Sequence, residues 1–187
     1  MHKIYEKLMK KCLLLAKKSK GQNLPNPYVA SIIFDEEKNE IISSGYHEKY
    51  GENHAERNAI LNSKKSVKGK TLIVNLEPCS HFGKTPPCTD LIIKSGIKKV
   101  VISHKDPNKK VAGKGIKKLK NAGIEVTEGI LEKEAKELNK IFLKNQTENK
   151  PYIMTKIAST LDFKIAIKKN RPIKITNDKS HNYQERK

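Results

Sequence analysis

Three short apolar runs, 71–74, 99–103 and 124–127, alternate with segments of helical composition at 87–94, 114–122 and 131–145. Apolar runs this short read as strands, and a strand without polar alternation must be covered on both faces. Strands that alternate with helices return parallel to one another. The pattern predicts a central, largely parallel sheet with helices on both sides. Ahead of it, 3–19 places Ile4, Leu8, Cys12, Leu15 and Ala16 at helical spacing with lysines between them, so Cys12 is expected in the core. Segments 29–34 and 40–45 flank a polar turn and read as a hairpin, and 54–64 has helical composition.

The polar stretch 145–151 reads as a linker, dividing the chain into a domain over 1–146 and a segment over 147–187 that begins with a strand-like run at 152–157. The residues after that linker are too few to fold alone. Charge bears on partners. Thirty-nine Lys and Arg against 20 Asp and Glu leave a formal net charge of +19, yet arginine occurs only at Arg57, Arg171 and Arg186. Arginine is the usual reader of phosphates and bases, so lysines scattered in pairs read as solvated helix faces rather than a nucleic-acid footprint. A nucleic-acid partner is not expected, and steep salt dependence of RNA or DNA binding is what would reveal one. No run of about 18 apolar residues is present and the first residues lack a secretory apolar core, which points to the cytoplasm. Three cysteines in such a compartment favour metal binding over disulfides.

Two of those cysteines belong to a constellation. His54-Ala55-Glu56 opens one expected helix, and the stretch from Pro78-Cys79 to Pro87-Cys88 opens the connection to the next. One imidazole and two thiolates, His54, Cys79 and Cys88, are a ligand set for catalytic zinc, which takes three protein ligands and keeps one position open. Helix N-termini and the metal together favour both cysteines as thiolates. Glu56, in the first turn after His54, is placed to shuttle protons rather than to ligate. Zinc deaminases use this arrangement, a His-x-Glu with a later Pro-Cys-x-x-Cys. Here eight residues rather than two separate the cysteines. Any one of these residues alone reads more simply as a buried group; their joint spacing does not.

The insertion Cys79-Ser80-His81-Phe82-Gly83-Lys84-Thr85-Pro86-Pro87-Cys88 resembles the deaminase domain of the bifunctional riboflavin-biosynthesis deaminase/reductase family. The resemblance extends over 5–145 through Pro25-Asn26-Pro27, Gly45-Tyr46-His47, Gly51 to Glu56, Asp106-Pro107-Asn108, Val111 to Gly115 and Ala122 to Val126. It implies a cytidine-deaminase-like three-layer α/β/α sandwich around a mixed, largely parallel sheet. It also implies Zn2+ on His54, Cys79 and Cys88, proton transfer by Glu56, and substrate contacts from Asn26, His47, Lys84, Asp106 and Asn108. The implied substrate is a small molecule, a diaminopyrimidinone carrying a ribosylamino 5-phosphate, deaminated to the aminouracil with release of ammonia. Homo-oligomers are expected by the same resemblance. Taken singly, Asn26 between prolines and Asp106-Pro107-Asn108 are also good turn formers, and Lys84 is one lysine among many.

Some positions depart from the family pattern. Ala30 stands where the family has glycine and Asn75 where it has threonine, both near the loop expected to meet substrate. Lys150 to Lys187 resembles the first part of the family's reductase domain, with Pro151 to Asp162 standing where that domain begins, but Phe163 replaces a glycine, and no NADPH-dependent reduction or nucleotide-cofactor site is expected. The segment reads equally as a remnant, a truncation or an extension that docks on a separate reductase chain. Two other functions remain open at this point: a nucleotide or nucleic-acid deaminase, and a non-catalytic zinc scaffold.

Overall fold

The computed structural model describes residues 2–83, 85–107, 112–148, 150–157, 159–161 and 163–165. The chain divides into two compact units, Met1–Pro151 and Tyr152–Lys187. The first opens with α1 (His2–Ala16), which turns through a short 3-10 segment into the loop before β1 (Ala30–Asp35) and β2 (Glu40–Tyr46). Then follow α2 (Ala55–Leu61), β3 (Thr71–Val74), α3 (Cys88–Lys94), β4 (Lys99–Ile102), α4 (Lys114–Asn121), β5 (Glu125–Thr127), α5 (Glu132–Leu138) and α6 (Lys140–Glu148).

The five strands lie in the order β2-β1-β3-β4-β5. Strand β1 is antiparallel to both its neighbours, while β3, β4 and β5 run parallel, with Thr71 opposite Lys99 and Lys99 opposite Glu125. Alternation along the strands sends neighbouring side chains to opposite faces. Ile33, Leu72, Val74, Val100 and Ile102 join the core beneath the helices α2, α3 and α4, with Ala59, Ile92, Ile116 and Leu119. Ile32, Phe34, Ile73 and Val101 face the other way, onto Tyr5, Leu8, Met9, Cys12 and Ala16 of α1, with Leu138 of α5 at the edge. Cys12 is fully buried there and its thiol donates to the Ala30 carbonyl at 3.0 Å. The sheet therefore sits between two helical layers, as its double-sided apolar strands require.

One close approach seats α2 on β2. Gly45 in β2 lies directly under that helix, and a Cβ there would fall 2.4 Å from the Ala59 nitrogen. Asn58 completes the contact by donating to the Tyr46 carbonyl at 2.9 Å.

The single helix expected over 131–145 is two helices. Asn139 lies between them at φ −105° and ψ 19°, and its side chain is tied to another segment: Oδ1 accepts from the Tyr28 N–H at 2.7 Å and Nδ2 donates to the Tyr28 carbonyl at 3.0 Å. The stretch expected to be a linker is helical as far as Glu148, since 145–148 holds no helix breaker and α6 runs through it. In the second unit the strand-like run at 152–157 carries no regular structure. Among the described residues of that unit no second strand offers it a ladder partner, and a lone strand does not persist. A tight turn there is closed by Phe163 donating to the Thr160 carbonyl at 3.0 Å. No helix among the described residues is long and apolar enough to cross a membrane.

The approach at Gly45 makes a direct prediction. Gly45→Ala is expected to lower unfolding free energy by about 1–3 kcal/mol through overpacking against backbone that cannot give way. Thermal denaturation followed by circular dichroism measures it, and an unchanged midpoint would mean that α2 does not press on β2.

Candidate active site

The parallel strands β3 and β4 end at one edge of the sheet, and the chain leaving β3 runs through Leu76, Glu77 and Pro78 to Cys79 before α3 begins at Cys88. His54 is the residue preceding α2, in extended conformation at φ −69° and ψ 159°. Two helix starts thus supply His54 and Cys88. Cys79 lies in the loop, not at a helix end, and is held by the Cys88 N–H donating to its sulfur at 3.3 Å.

His54 Nδ1 lies 3.5 Å from the sulfur of Cys79 and 3.5 Å from that of Cys88. All three atoms fall within 4.8 Å of one another, close enough to share one ion, and Glu56 is not among them. Three donors of this kind, two soft and one borderline, suit zinc with a fourth position left open. The protons tell the same story. The thiol of Cys88 donating to Cys79, with His54 beside it, draws Cys79 far below an ordinary thiol. Its thiolate neighbour and deep burial push Cys88 well above. The two cysteines expected to be thiolates together therefore share one proton until a cation replaces it. His54 is raised, chiefly by its contact with Cys79.

Glu56 is 3% exposed, and burial raises its carboxyl to about 7. A carboxyl near neutrality can both take and return a proton at little cost. His47 stands beside His54, ring centroids 5.5 Å apart and nearly perpendicular. Its Nδ1 lies 3.0 Å from the Asn53 carbonyl, which can only accept, so Nδ1 carries the proton. Burial lowers His47 and favours that neutral ring. Nε2 must then accept from Asn26 Nδ2 at 2.9 Å, which leaves Oδ1 as the acceptor that Asn26 offers.

Asn26, His47, His54, Glu56, Cys79 and Asp106 line one cavity of about 350 Å³. That volume lies in the range of small-molecule sites. A profile of the cytidine and deoxycytidylate deaminase zinc-binding region matches residues 2–104. The riboflavin biosynthesis protein RibD of Aquifex aeolicus is 52% identical over 166 residues, covering 89% of this chain and 46% of that protein. The diaminohydroxyphosphoribosylamino-pyrimidine deaminase of Buchnera aphidicola subsp. Schizaphis graminum is 47% identical over 143 residues, 76% of this chain and 96% of that one. The chain belongs to the riboflavin-biosynthesis deaminase family, within the cytidine-deaminase-like fold. A crystal structure of the Thermotoga maritima diaminohydroxyphosphoribosylaminopyrimidine deaminase/5-amino-6-(5-phosphoribosylamino)uracil reductase superposes with a TM-score of 0.91. It is 46% identical, over 99% of this chain and 53% of its own. The chain spans about half the length of the curated RibD relatives it matches.

Lys84 and Asn108 lie outside the described residues. Ala30 and Asn75, the two departures from the family pattern, are fully buried and neither lines the cavity. Asn75 accepts from the Ala30 N–H at 2.8 Å and donates to the Tyr28 carbonyl at 2.9 Å, so it holds the exit of the Asn26 loop. Sequence reasoning missed other lining residues: Phe142 and Gln146, one helical turn apart on α6, and Tyr50 and Glu52 before α2. The i, i+4 spacing of Phe142 and Gln146 put them on one helix face, but nothing in it marked that face as part of a site. Glu77 was visible only as the residue before Pro78-Cys79.

Metal-free protein is expected to release between about one and two protons per zinc ion bound near pH 7, from Cys88 and the protonated fraction of His54. Calorimetry in buffers of different ionisation enthalpy counts them. Release of fewer than one would mean that the cysteines do not share a proton in the free site.

Proposed function

We propose that this chain is a zinc-dependent hydrolytic deaminase. It converts 2,5-diamino-6-(5-phosphoribosylamino)pyrimidin-4(3H)-one to 5-amino-6-(5-phosphoribosylamino)uracil and ammonia, with residues 1–146 as the deaminase domain. The observation that carries the reading is the buried Glu56 on the cavity that His54 and Cys79 of the His54, Cys79 and Cys88 cluster also line. Its support from relatives is a match over 96% of a protein named for this deamination and 76% of this chain.

His54 Nδ1 and the two sulfurs would hold zinc, which when bound acidifies a water at its open position and so supplies a nucleophile at neutral pH. The rest is work for this chain's own groups. Glu56 takes the proton that the attacking water gives up, delivers it to ring N3 as C2 becomes tetrahedral, then carries a proton to the departing amine. A value near 7 suits both directions of transfer. Asn26 offers Oδ1 to an N–H on the pyrimidine edge, held in that orientation by neutral His47. Asp106 faces the cavity from beyond β4, where a carboxylate can accept from ribose hydroxyls. Lys84 and Asn108 complete the substrate contacts in this reading, Lys84 as the charge for the phosphate.

Ammonia release from the phosphoribosylaminopyrimidine by zinc-loaded protein tests the proposal, beside Glu56→Gln. The variant is expected to keep its metal and lose about two to four orders of magnitude in turnover. No release by folded, zinc-bound parent protein would overturn the reading. Equal rates from both proteins would remove Glu56 from the chemistry.

A further inference from the structure

Glu77 sits between β3 and Cys79, only 3% exposed, and its side chain faces a loop from another part of the chain. Four backbone N–H groups converge on its two carboxylate oxygens. Oε1 accepts from Gly115 at 2.9 Å and Ile116 at 3.2 Å, and Oε2 from Gly113 at 2.9 Å and Asp106 at 3.1 Å. Its own N–H donates to the His104 carbonyl at 3.0 Å. Every one of these partners belongs to the connection between β4 and α4 or to the first turn of α4.

That connection has needs of its own. The first N–H groups of a helix have no partner within it, and a side chain at the preceding residue normally supplies one. Gly113 occupies that place before α4, in left-handed conformation at φ 82°, with no side chain to give. Glu77 provides the cap from outside. The helix start is pressed so close that a Cβ on Gly115 would fall 2.1 Å from the Pro78 carbonyl oxygen. Two residues beyond Glu77 is Cys79, and at the other end of its hydrogen bonds is Asp106, a wall of the same cavity.

We propose that Glu77 is a positioning residue for substrate: its carboxylate fixes the Asp106 loop relative to the Cys79 segment, so that the wall facing the sugar end is registered to the reacting centre. This rests on the deaminase reading for the identity of the substrate, but not for the hydrogen bonds. Glutamine at 77 keeps the shape and keeps one acceptor oxygen. Its NH2 group would face two backbone donors that it cannot accept from, so two of the four bonds are lost and donor is set against donor. Aspartate keeps the charge on a shorter arm.

Parent protein, Glu77→Gln and Glu77→Asp, each zinc-loaded, are compared by steady-state kinetics, zinc content and amide hydrogen exchange. For Glu77→Gln the expected result is a KM raised about tenfold or more with kcat changed by less than about threefold, since the loss is of binding shared by ground and transition states. Zinc stoichiometry stays that of the parent, and peptides spanning 104–107 and 112–116 exchange at least about tenfold faster. Glu77→Asp lies between the two proteins, and carries both readouts if the glutamine variant fails to fold. Unchanged exchange in those peptides overturns the proposal, as does faster exchange with KM untouched, which would make Glu77 a stabilising cap and no more. A fall in kcat accompanied by zinc loss also overturns it, placing the effect on Cys79. Should the parent protein not deaminate the pyrimidine, the deaminase reading falls, while the exchange data still decide whether Glu77 holds the loop.

Discussion

Two helix starts that are remote in sequence have to meet over one edge of a sheet, and the rest of the site depends on that meeting. His54 precedes α2 and Cys88 opens α3, and both helices pack on the same face of β1, β3 and β4. The first can come close only because Gly45 leaves room beneath it; the second is drawn in by its own N–H to Cys79. Three ligand atoms within 4.8 Å are the result. A cluster of two sulfurs and an imidazole at that spacing is uncomfortable without a cation, which is why Cys79 and Cys88 titrate in opposite directions. Packing on the sheet, not affinity among the three groups, brings them together.

Around this centre the cavity is held by polar clamps rather than apolar contacts. The loop carrying Asn26 has both Tyr28 backbone groups tied by the Asn139 amide, with Asn75 sharing the carbonyl. Asn23 donates to the Pro27 carbonyl at 2.8 Å and closes the same loop on itself. Glu77 does the equivalent for the loop carrying Asp106. Irregular backbone that is buried must find partners for its N–H and C=O groups, and amide or carboxylate side chains supply them where no strand runs alongside. Such bonds are directional, so they locate a loop more sharply than apolar burial would.

Much of this was legible from the residues. The double-sided apolar runs called for a covered sheet, and β3 and β4 are buried in this way, while β5 at the sheet edge is only partly covered. Ile4, Leu8, Cys12, Leu15 and Ala16 predicted an apolar face for α1, and three of the five are buried, with Ile4 and Leu15 packed at the edge of the same core. His54, Cys79 and Cys88 stood out because their spacing to helix starts is unusual for core residues. The antiparallel insertion of β1 between β2 and β3 was not legible, because a hairpin's pattern says which strands pair with each other and not which third strand they join. Nor was the pairing of Asn139 with Tyr28, a contact between residues 111 apart in the chain. The strand-like run at 152–157 shows the converse: local apolar character does not make a strand where the described residues of its unit supply no neighbour.

By itself the sequence determined the chemistry available: which side chains can bind a soft cation, which carboxyl stands beside them, and how many layers the apolar runs require. Those follow from composition and period, which are local. Tertiary structure decided what each group does. It buried Glu56 and so raised its carboxyl to about 7, and it set the His47 tautomer through a carbonyl on Asn53. It also brought Phe142 and Gln146 from the last helix onto a cavity begun by Pro25 and Asn26. Protonation, orientation and shape depend on dielectric surroundings and on partners far along the chain, and only folding assembles those.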